Sequence, residues 1–321
     1  MRDGRDPRSV LGMTGCVVTV GTFDGVHRGH AHLLRAVLRA AHEHRGPSVL
    51  VTFHPHPLSV VRPHAAPPLL TTPREKIEVL AASGIDAVAL VRFDQEIADY
   101  TPRRFVEELL LRRFGMEHLV VGYDHAFGRG RSGNVDTLRT LGAELGFSVE
   151  VVEPLGGAGG PISSTRIRAA LEAGDVMAAA TGLGRAYAIL GTVVPGDGRG
   201  RALGYPTANL ALPNVAKLVP RDGIYAVRAA AAGELFDGVL HVGPRPTFPG
   251  ATASIELHLF DFDDDLYGRE VHIDFCARLR SVERFADVPS LVRAIDRDCA
   301  AARALLASSG GACGLLPEPL V

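Results

Sequence analysis

Short apolar runs alternate with amphipathic segments through the first half of the chain. β-Branched runs such as CVVTVG end at a turn, and segments such as AHLLRAVLRAAHEH repeat their apolar residues at helical spacing. Strands that alternate with helices favour a parallel sheet with helices on both faces. We therefore predict a Rossmann-like α/β domain over residues 16–185. Its predicted strands are 16–21, 48–53, 85–93, 118–123 and 148–154, and its predicted helices are 31–44, 75–83, 102–114 and 137–145.

The pattern changes at Tyr187. Short β-rich runs then follow one another with turn residues and no helix between them, which favours antiparallel pairing in a small closed barrel. One amphipathic segment, 290–306, closes this half as a C-terminal helix. We predict the barrel domain over 186–306, with disordered ends at 1–15 and 307–321.

Composition and charge narrow the class of protein. The 321 residues are 46% hydrophobic and 22% charged, which is ordinary for two domains that each have a core. A net charge of -2 provides no overall basic field, so we expect no nucleic-acid or membrane partner, and local groups must hold any anionic ligand. The four cysteines have no C-x-x-C spacing, which argues against a zinc site. Without a signal peptide or a spanning apolar run, the predicted location is cytoplasmic.

The stretch GTFDGVHRGH places two histidines at the start of a predicted helix. Gly21 and Gly29 leave room for a ligand near the backbone, and a helix N-terminus offers N–H groups and a positive dipole end to phosphates. His27 and His30 can donate hydrogen bonds to the charge that develops on an α-phosphate as pyrophosphate leaves. A lone H-x-x-H is more often a glycine-rich turn with surface histidines, but the strand–turn–helix context favours a nucleotide site.

This stretch, which includes Phe23 and Asp24, resembles the signature of the H-x-G-H nucleotidyltransferase superfamily. A second segment, ISSTRIRAAL at 162–171, resembles the distal motif of that superfamily, in which serine, threonine and arginine hold ATP phosphates. By itself this segment could be a helix cap followed by a basic helix face. The resemblance implies catalytic roles for His27, His30 and Arg166. It also implies ATP binding by Gly21, Phe23, Asp24, Gly29, Ser163, Ser164 and Thr165.

Two further segments follow predicted strands. FHPHP comes after the second strand and GYDHAFGRGRSG after the fourth, so both lie at carboxyl ends of strands, where parallel sheets bind ligands. Both segments resemble the FAD synthetase branch of the superfamily. The resemblance implies that His56 and Asp124 lie around ATP and the flavin. The chain departs from the family at His125 and Ala126, where an aromatic residue and often an arginine stand.

The second half carries its own candidate site in GTVVPGDGRGRALGYPTANL. Gly196, Gly198 and Gly200 can turn a loop so that its N–H groups face phosphate oxygens. Thr207 and Asn209 lie two apart on an extended chain and so share a face, where their oxygens could bind Mg²⁺ and ATP phosphate. The glycines alone would favour a plain hairpin loop. The segment is not a Walker A loop, because the lysine of G-K-[ST] is absent.

Glu256 lies among alternating apolar residues of the run SIELHLFDF, where an acid is a candidate general base for a hydroxyl. The alternative is a solvent-facing strand position. The order of these pieces resembles the riboflavin kinase domain. The resemblance implies that Thr207 and Asn209 bind Mg-ATP and that Glu256 deprotonates the ribityl hydroxyl. His241 departs from the family, which commonly has asparagine or serine there.

Together the two halves resemble the prokaryotic bifunctional riboflavin kinase/FAD synthetase family. The resemblance implies phosphorylation of riboflavin to FMN by ATP, with Mg²⁺ as cofactor, and then adenylylation of FMN to FAD with release of pyrophosphate. Two alternatives stay open. In one, only the kinase works, because His125 and Ala126 weaken the adenylylation half. In the other, the chain is a non-enzymatic flavin or nucleotide sensor that retains both pockets.

Overall fold

The computed structural model describes residues 13–157, 160–196, 198–213, 216–244 and 254–308. Over these residues the chain forms two compact units, 13–164 and 165–308. The contacts therefore divide the chain earlier than the predicted domain boundary after residue 185, which stays a prediction. The ends predicted to be disordered fall mostly outside the described residues.

A five-stranded parallel sheet forms the frame of the first unit. Its strands are β1 Cys16–Val20, β2 Ser48–His54, β3 Ala87–Arg92, β4 Met116–Gly122 and β5 Ser148–Val152, in the order β3-β2-β1-β4-β5. The strands are apolar because both faces are covered: Val17 packs into a core with the first helix, and Val18 packs into the core on the other face. The strand order reverses between β1 and β4, which makes the carboxyl ends of these strands the expected ligand crevice.

Helices flank this sheet as the alternating pattern predicts. They are α1 Arg28–His44, α2 Pro57–Val61, α3 Pro73–Ala81, α4 Gln95–Ala98, α5 Pro102–Arg104 and α6 Val135–Leu145, with 3-10 turns at Pro63–Ala65 and Arg129–Arg131. The helix predicted over 102–114 continues beyond α5 as a π-helix, Phe105–Arg113. Helix α1 begins before the predicted residue 31 because His27 caps it. A short hairpin of β6 Gly156–Gly157 and β7 Gly160–Pro161 follows the sheet.

The second unit is a closed antiparallel barrel, which confirms the predicted fold class. Its strands are β8 Tyr187–Val194, β9 Ala208–Ala211, β10 Gly223–Ala231, β11 Glu234–Gly243, β12 Ser254–Leu259 and β13 Glu270–Arg280, closed in the order β10-β11-β12-β9-β8-β13. Its helices are α7 Ser164–Ala173, whose first residue belongs to the first unit, α8 Val176–Leu183, α9 Arg199–Ala202 and the C-terminal α10 Val288–Ser308. The pattern predicted five of the strands and missed β9, which has only four residues.

Candidate active sites

The two motif histidines form a reciprocal cap at the head of α1. The backbone N–H of His30 donates to Nδ1 of His27 at 3.3 Å, and the backbone N–H of His27 donates to Nδ1 of His30 at 3.2 Å. Their rings stack with centroids 3.6 Å apart. Because each Nδ1 accepts a hydrogen bond, a neutral ring carries its hydrogen on Nε2. The cap therefore makes both Nε2–H groups donors, as stabilisation of a phosphate transition state requires.

The turn that leads into this cap has a strained backbone. Phe23, Gly25 and Val26 have φ of 45°, 84° and 39°. Left-handed φ at the two non-glycine residues costs on the order of 1–3 kcal/mol each and persists only where surrounding contacts impose it. A Cβ at Gly29 would lie 3.1 Å from the His27 ring, and a Cβ at Gly21 would lie 3.1 Å from the Phe23 ring. Both glycines thus allow the protein to pack closely on itself, and their contact with ATP stays a prediction.

Asp24 holds the turn against the loop before α3. Its carboxylate is buried and accepts hydrogen bonds from the backbone N–H groups of Leu70 and Thr71, each at 3.0 Å, and from the Thr71 hydroxyl at 3.2 Å. The Thr71 hydroxyl oxygen in turn accepts from the N–H of Gly25. These contacts give Asp24 a positioning role in the turn, and its predicted contact with ATP stays a prediction.

The distal motif reaches the same turn through its serine. The Ser164 hydroxyl, on the first residue of α7, donates to the carbonyl oxygen of Asp24 at 2.8 Å. Two segments that are far apart in the sequence are thereby joined. Ser163 precedes the helix, and Thr165 and Arg166 occupy its first turn. Their roles toward ATP stay predictions.

The other two predicted loops lie at the same edge of the sheet. His56 caps α2, since its Nδ1 accepts from the N–H of Leu58 at 3.1 Å. Asp124 follows the carboxyl end of β4, the strand next to β1. Carboxyl ends of neighbouring parallel strands meet at one edge, so these loops and the β1–α1 turn share the crevice side of the sheet.

His125, the first departure from the family pattern, behaves as an aromatic ring. It stacks on Phe127 with centroids 5.6 Å apart. Burial lowers the pKa of His125 to about 4. The negative charge of Asp124 opposes this shift, and the positive charge of Arg131 adds to it. The ring is therefore neutral at neutral pH. Its Nε2 is buried and finds no hydrogen-bond partner among the described residues. A neutral stacked imidazole is a small chemical change from the aromatic residue of the family.

Replacement of His125 by phenylalanine is expected to make the chain less sensitive to acid. The folded pKa of about 4 lies below the ordinary 6.5, so between these values the unfolded chain binds a proton that the folded chain does not. Stability therefore falls as the pH falls through this range, and phenylalanine removes that contribution. The free energy of unfolding, measured with urea at pH 7 and pH 5 for wild type and variant, tests this expectation. An equal loss of stability in wild type and variant would contradict the expectation.

A cavity in the second unit brings the predicted kinase residues together. The predicted residues that line it are Gly198, Gly200, Thr207, Asn209 and Glu256. The Thr207 hydroxyl donates to Oε2 of Glu256 at 3.4 Å, and the Ser254 hydroxyl donates to Oε1 at 2.8 Å. Asn209 on β9 is the register partner of Glu256 on β12. A carboxylate oriented in a cavity beside a hydroxyl and an amide matches the requirements of a general base next to a phosphate site.

The glycine loop lies directly on these side chains. A Cβ at Gly196 would lie 1.8 Å from Nδ2 of Asn209, and a Cβ at Gly200 would lie 2.8 Å from Oγ1 of Thr207. Gly198 has a φ of 68°, which favours glycine. Gly196 and Gly200 are therefore needed for the approach of the loop to Asn209 and Thr207, and Gly198 is favoured by the left-handed turn between them, whichever ligand the cavity takes.

The oxygen atoms in this cavity are suitable ligands for an Mg²⁺ ion that binds together with a nucleotide. Thr207 and Asn209 offer a hydroxyl and an amide oxygen, which are hard ligands, and Mg²⁺ usually takes few protein ligands and completes its shell with phosphates and water. Within the described residues no cluster of three or more histidine, cysteine or acidic side chains could hold a metal ion by itself. A shared site of protein and phosphate oxygens is consistent with both observations.

Sequence reasoning noted His241 only as a departure from the family pattern and did not identify the partners of Arg280 and Tyr205 around the cavity. Nδ1 of His241 lies 3.8 Å from Oε1 of Glu256, because β11 places the two in register. Arg280 at the end of β13 makes a bidentate ion pair with Asp298 of α10, with contacts of 2.7 and 2.9 Å. The Tyr205 hydroxyl donates to Asp296 of the same helix. These pairs join separate elements, so no spacing along the chain indicates them.

Comparison with known proteins identifies the family of each half of the chain. Residues 12–166 match the family model of FAD synthetase and residues 183–306 match that of riboflavin kinase. The bifunctional riboflavin kinase/FMN adenylyltransferase of Escherichia coli K12 is 39% identical over 290 residues, 90% of this chain and 92% of that protein. Its counterpart from Bacillus subtilis 168 is 36% identical over 287 residues, 88% of this chain and 90% of that protein.

A solved structure from Streptococcus pneumoniae, described as a macrolide-efflux protein, is 31% identical with a TM-score of 0.81 and covers 93% of this chain and 96% of that one. This likeness supports the fold. Within the described residues, no helix has the length and apolar character needed to cross a membrane. Because both family models match in this order and the curated relatives match over most of their length, the chain belongs to the family of bifunctional riboflavin kinase/FMN adenylyltransferases.

Proposed function

We propose that this chain phosphorylates riboflavin to FMN in its barrel unit and adenylylates FMN to FAD in its α/β unit, with ATP as co-substrate of both reactions. The observation that carries the proposal is that each unit brings residues of its own motif close together. The His27–His30 cap stands at the head of α1, and Glu256 lies beside Thr207 and Asn209 in the barrel cavity.

In the barrel unit, Glu256 takes the proton of the ribityl hydroxyl as that oxygen attacks the γ-phosphate of ATP, and ADP leaves. The hydrogen bonds from Thr207 and Ser254 orient its carboxylate. Thr207 and Asn209 hold Mg²⁺, which neutralises phosphate charge when it is bound. The loop of Gly196, Gly198 and Gly200 brings backbone N–H groups to the phosphates.

In the α/β unit, a phosphate oxygen of FMN attacks the α-phosphate of ATP, and pyrophosphate leaves. No covalent intermediate with the protein is required. His27 and His30 donate from Nε2 to the oxygens that gain charge, while the helix N-terminus adds its positive dipole end. Ser163 and Ser164 of the distal motif hold phosphates of ATP, and the same role for Thr165 and Arg166 stays an expectation from the family resemblance.

A chromatographic time course of riboflavin, ATP and Mg²⁺ with the purified chain tests the whole proposal. We expect riboflavin to turn into FMN, and FMN into FAD with release of pyrophosphate. Accumulation of FMN alone would support the kinase-only alternative. Binding of flavin or nucleotide without turnover would support a sensor. The neutral stacked ring of His125 favours the bifunctional enzyme over the kinase-only form, because it keeps the aromatic character of that position.

A further inference from the structure

Lys76, on α3, is a buried lysine that the proposed mechanism does not use. Only 7% of its surface is exposed. Its Nζ donates to the carbonyl oxygen of Thr22 at 2.6 Å and lies 3.5 Å from Oγ1 of Thr52. The Thr52 hydroxyl donates to the same Thr22 carbonyl at 3.0 Å. Lys76 on α3 therefore holds Thr22, which lies in the strained β1–α1 turn.

The charge of this lysine is only partly compensated by protein groups. An ammonium has three N–H donors, and among the described residues Lys76 has a single short acceptor. The carboxylate of Asp24 attracts it, but that carboxylate also accepts hydrogen bonds from Leu70 and Thr71. Burial lowers the pKa of Lys76 more than Asp24 raises it. Because Asp24 is shared with those N–H donors, the ammonium can also stabilise a second anion nearby.

The location of Lys76 connects the two loops that sequence analysis assigned to ATP. Thr22 belongs to the GTFDGVHRGH turn, and Thr52 on β2 comes two residues before His54 of the FHPHP segment. Burial of His54 lowers its pKa, and the positive charge of Lys76 lowers it further. One buried cation thus acts on both loops at the carboxyl edge of β1 and β2.

We propose that Lys76 is a positioning residue for the nucleotide of adenylyl transfer: its ammonium holds the Thr22 carbonyl and places positive charge beneath the turn that receives the triphosphate. The inference rests on the proposed adenylyl transfer. A charge in a poorly solvated position acts on a phosphate several ångströms away without touching it. The ligand class is a polyphosphate, namely ATP in the forward reaction and pyrophosphate in the reverse.

Lys76→Gln is the decisive variant, because glutamine removes the charge and still offers an N–H donor, on a side chain one atom shorter, toward the Thr22 carbonyl. We expect the KM for ATP in FAD formation, and the KM for pyrophosphate when FAD is converted back to FMN and ATP, to rise about tenfold. FMN formation from riboflavin is expected to stay within about twofold, which also shows that the chain is folded. Thr52→Val is the matched control: it removes the neighbouring hydroxyl, leaves the charge, and is expected to retain the wild-type KM for pyrophosphate.

Unchanged KM values for ATP and pyrophosphate in Lys76→Gln would overturn the inference, and so would equal increases in Lys76→Gln and Thr52→Val, since hydrogen bonding alone would then explain the effect. If the wild-type chain makes no FAD, the proposed function fails, and calorimetric binding of pyrophosphate to wild type and Lys76→Gln still tests the lysine. Weaker binding to the variant supports the inference, and equal binding overturns it.

Discussion

Replacement of Glu256 by glutamine is expected to lower the formation of FMN from riboflavin by about 10²–10⁴-fold, while FAD formation from added FMN continues. Glutamine preserves the size of the side chain and removes the group that accepts the ribityl proton. The carboxylate lies in the barrel cavity and accepts hydrogen bonds from Thr207 and Ser254. The rates of both steps, followed separately by chromatography, provide the measurement.

Ser254→Ala is the matched control for this variant. It removes the 2.8 Å hydrogen bond to Oε1 of Glu256 and leaves the carboxylate in place. We expect it to slow FMN formation far less than Glu256→Gln does, because one orienting bond of about 1 kcal/mol is lost and the base remains. Near-normal kinase rates in Glu256→Gln would remove Glu256 from the role of general base.

Replacement of His30 by alanine is expected to cut FAD formation by about 10²-fold or more, while FMN formation from riboflavin persists. The variant loses an Nε2–H donor that the capping geometry directs away from the helix backbone. It also loses the acceptor for the N–H of His27 at 3.2 Å, so part of the effect could come from the helix cap. A time course with FMN and ATP measures FAD formation directly.

His30→Asn separates these two contributions. The oxygen of an asparagine side chain can accept the N–H of His27 and so retain the cap, whereas its NH2 group, on a shorter side chain, does not reach the position of the imidazole Nε2–H. If the imidazole donor matters, His30→Asn should be as slow as His30→Ala. Recovery of FAD formation in His30→Asn would assign the loss to the cap. Equal loss of FMN and FAD formation in His30→Ala would contradict separate sites in the two units.

The sequence by itself determined the architecture and the location of both candidate sites. Apolar residues repeat along a strand or helix with the period of the face that it buries. This pattern predicted the parallel strands, the barrel strands and their helices. The pattern missed several short elements, among them β9 with four residues and the helices α2, α4 and α8, which have five, four and eight residues. The helix after Pro102 also becomes a π-helix. The motifs with His27, His30, Thr207 and Asn209 could be found because their chemistry lies within one local segment.

Only the tertiary structure decided what those residues contact. Asp24 turned out to anchor the loop at Leu70 and Thr71, and His125 proved to be a neutral stacked ring. Lys76 on α3 reaches Thr22 in the β1–α1 turn, and Arg280 pairs with Asp298 in the lining of the barrel cavity. Such contacts join residues far apart in the chain, and their burial sets charge and hydrogen bonding. Periodicity and spacing describe neighbours along the chain, so partners brought together by folding follow only from the packed structure.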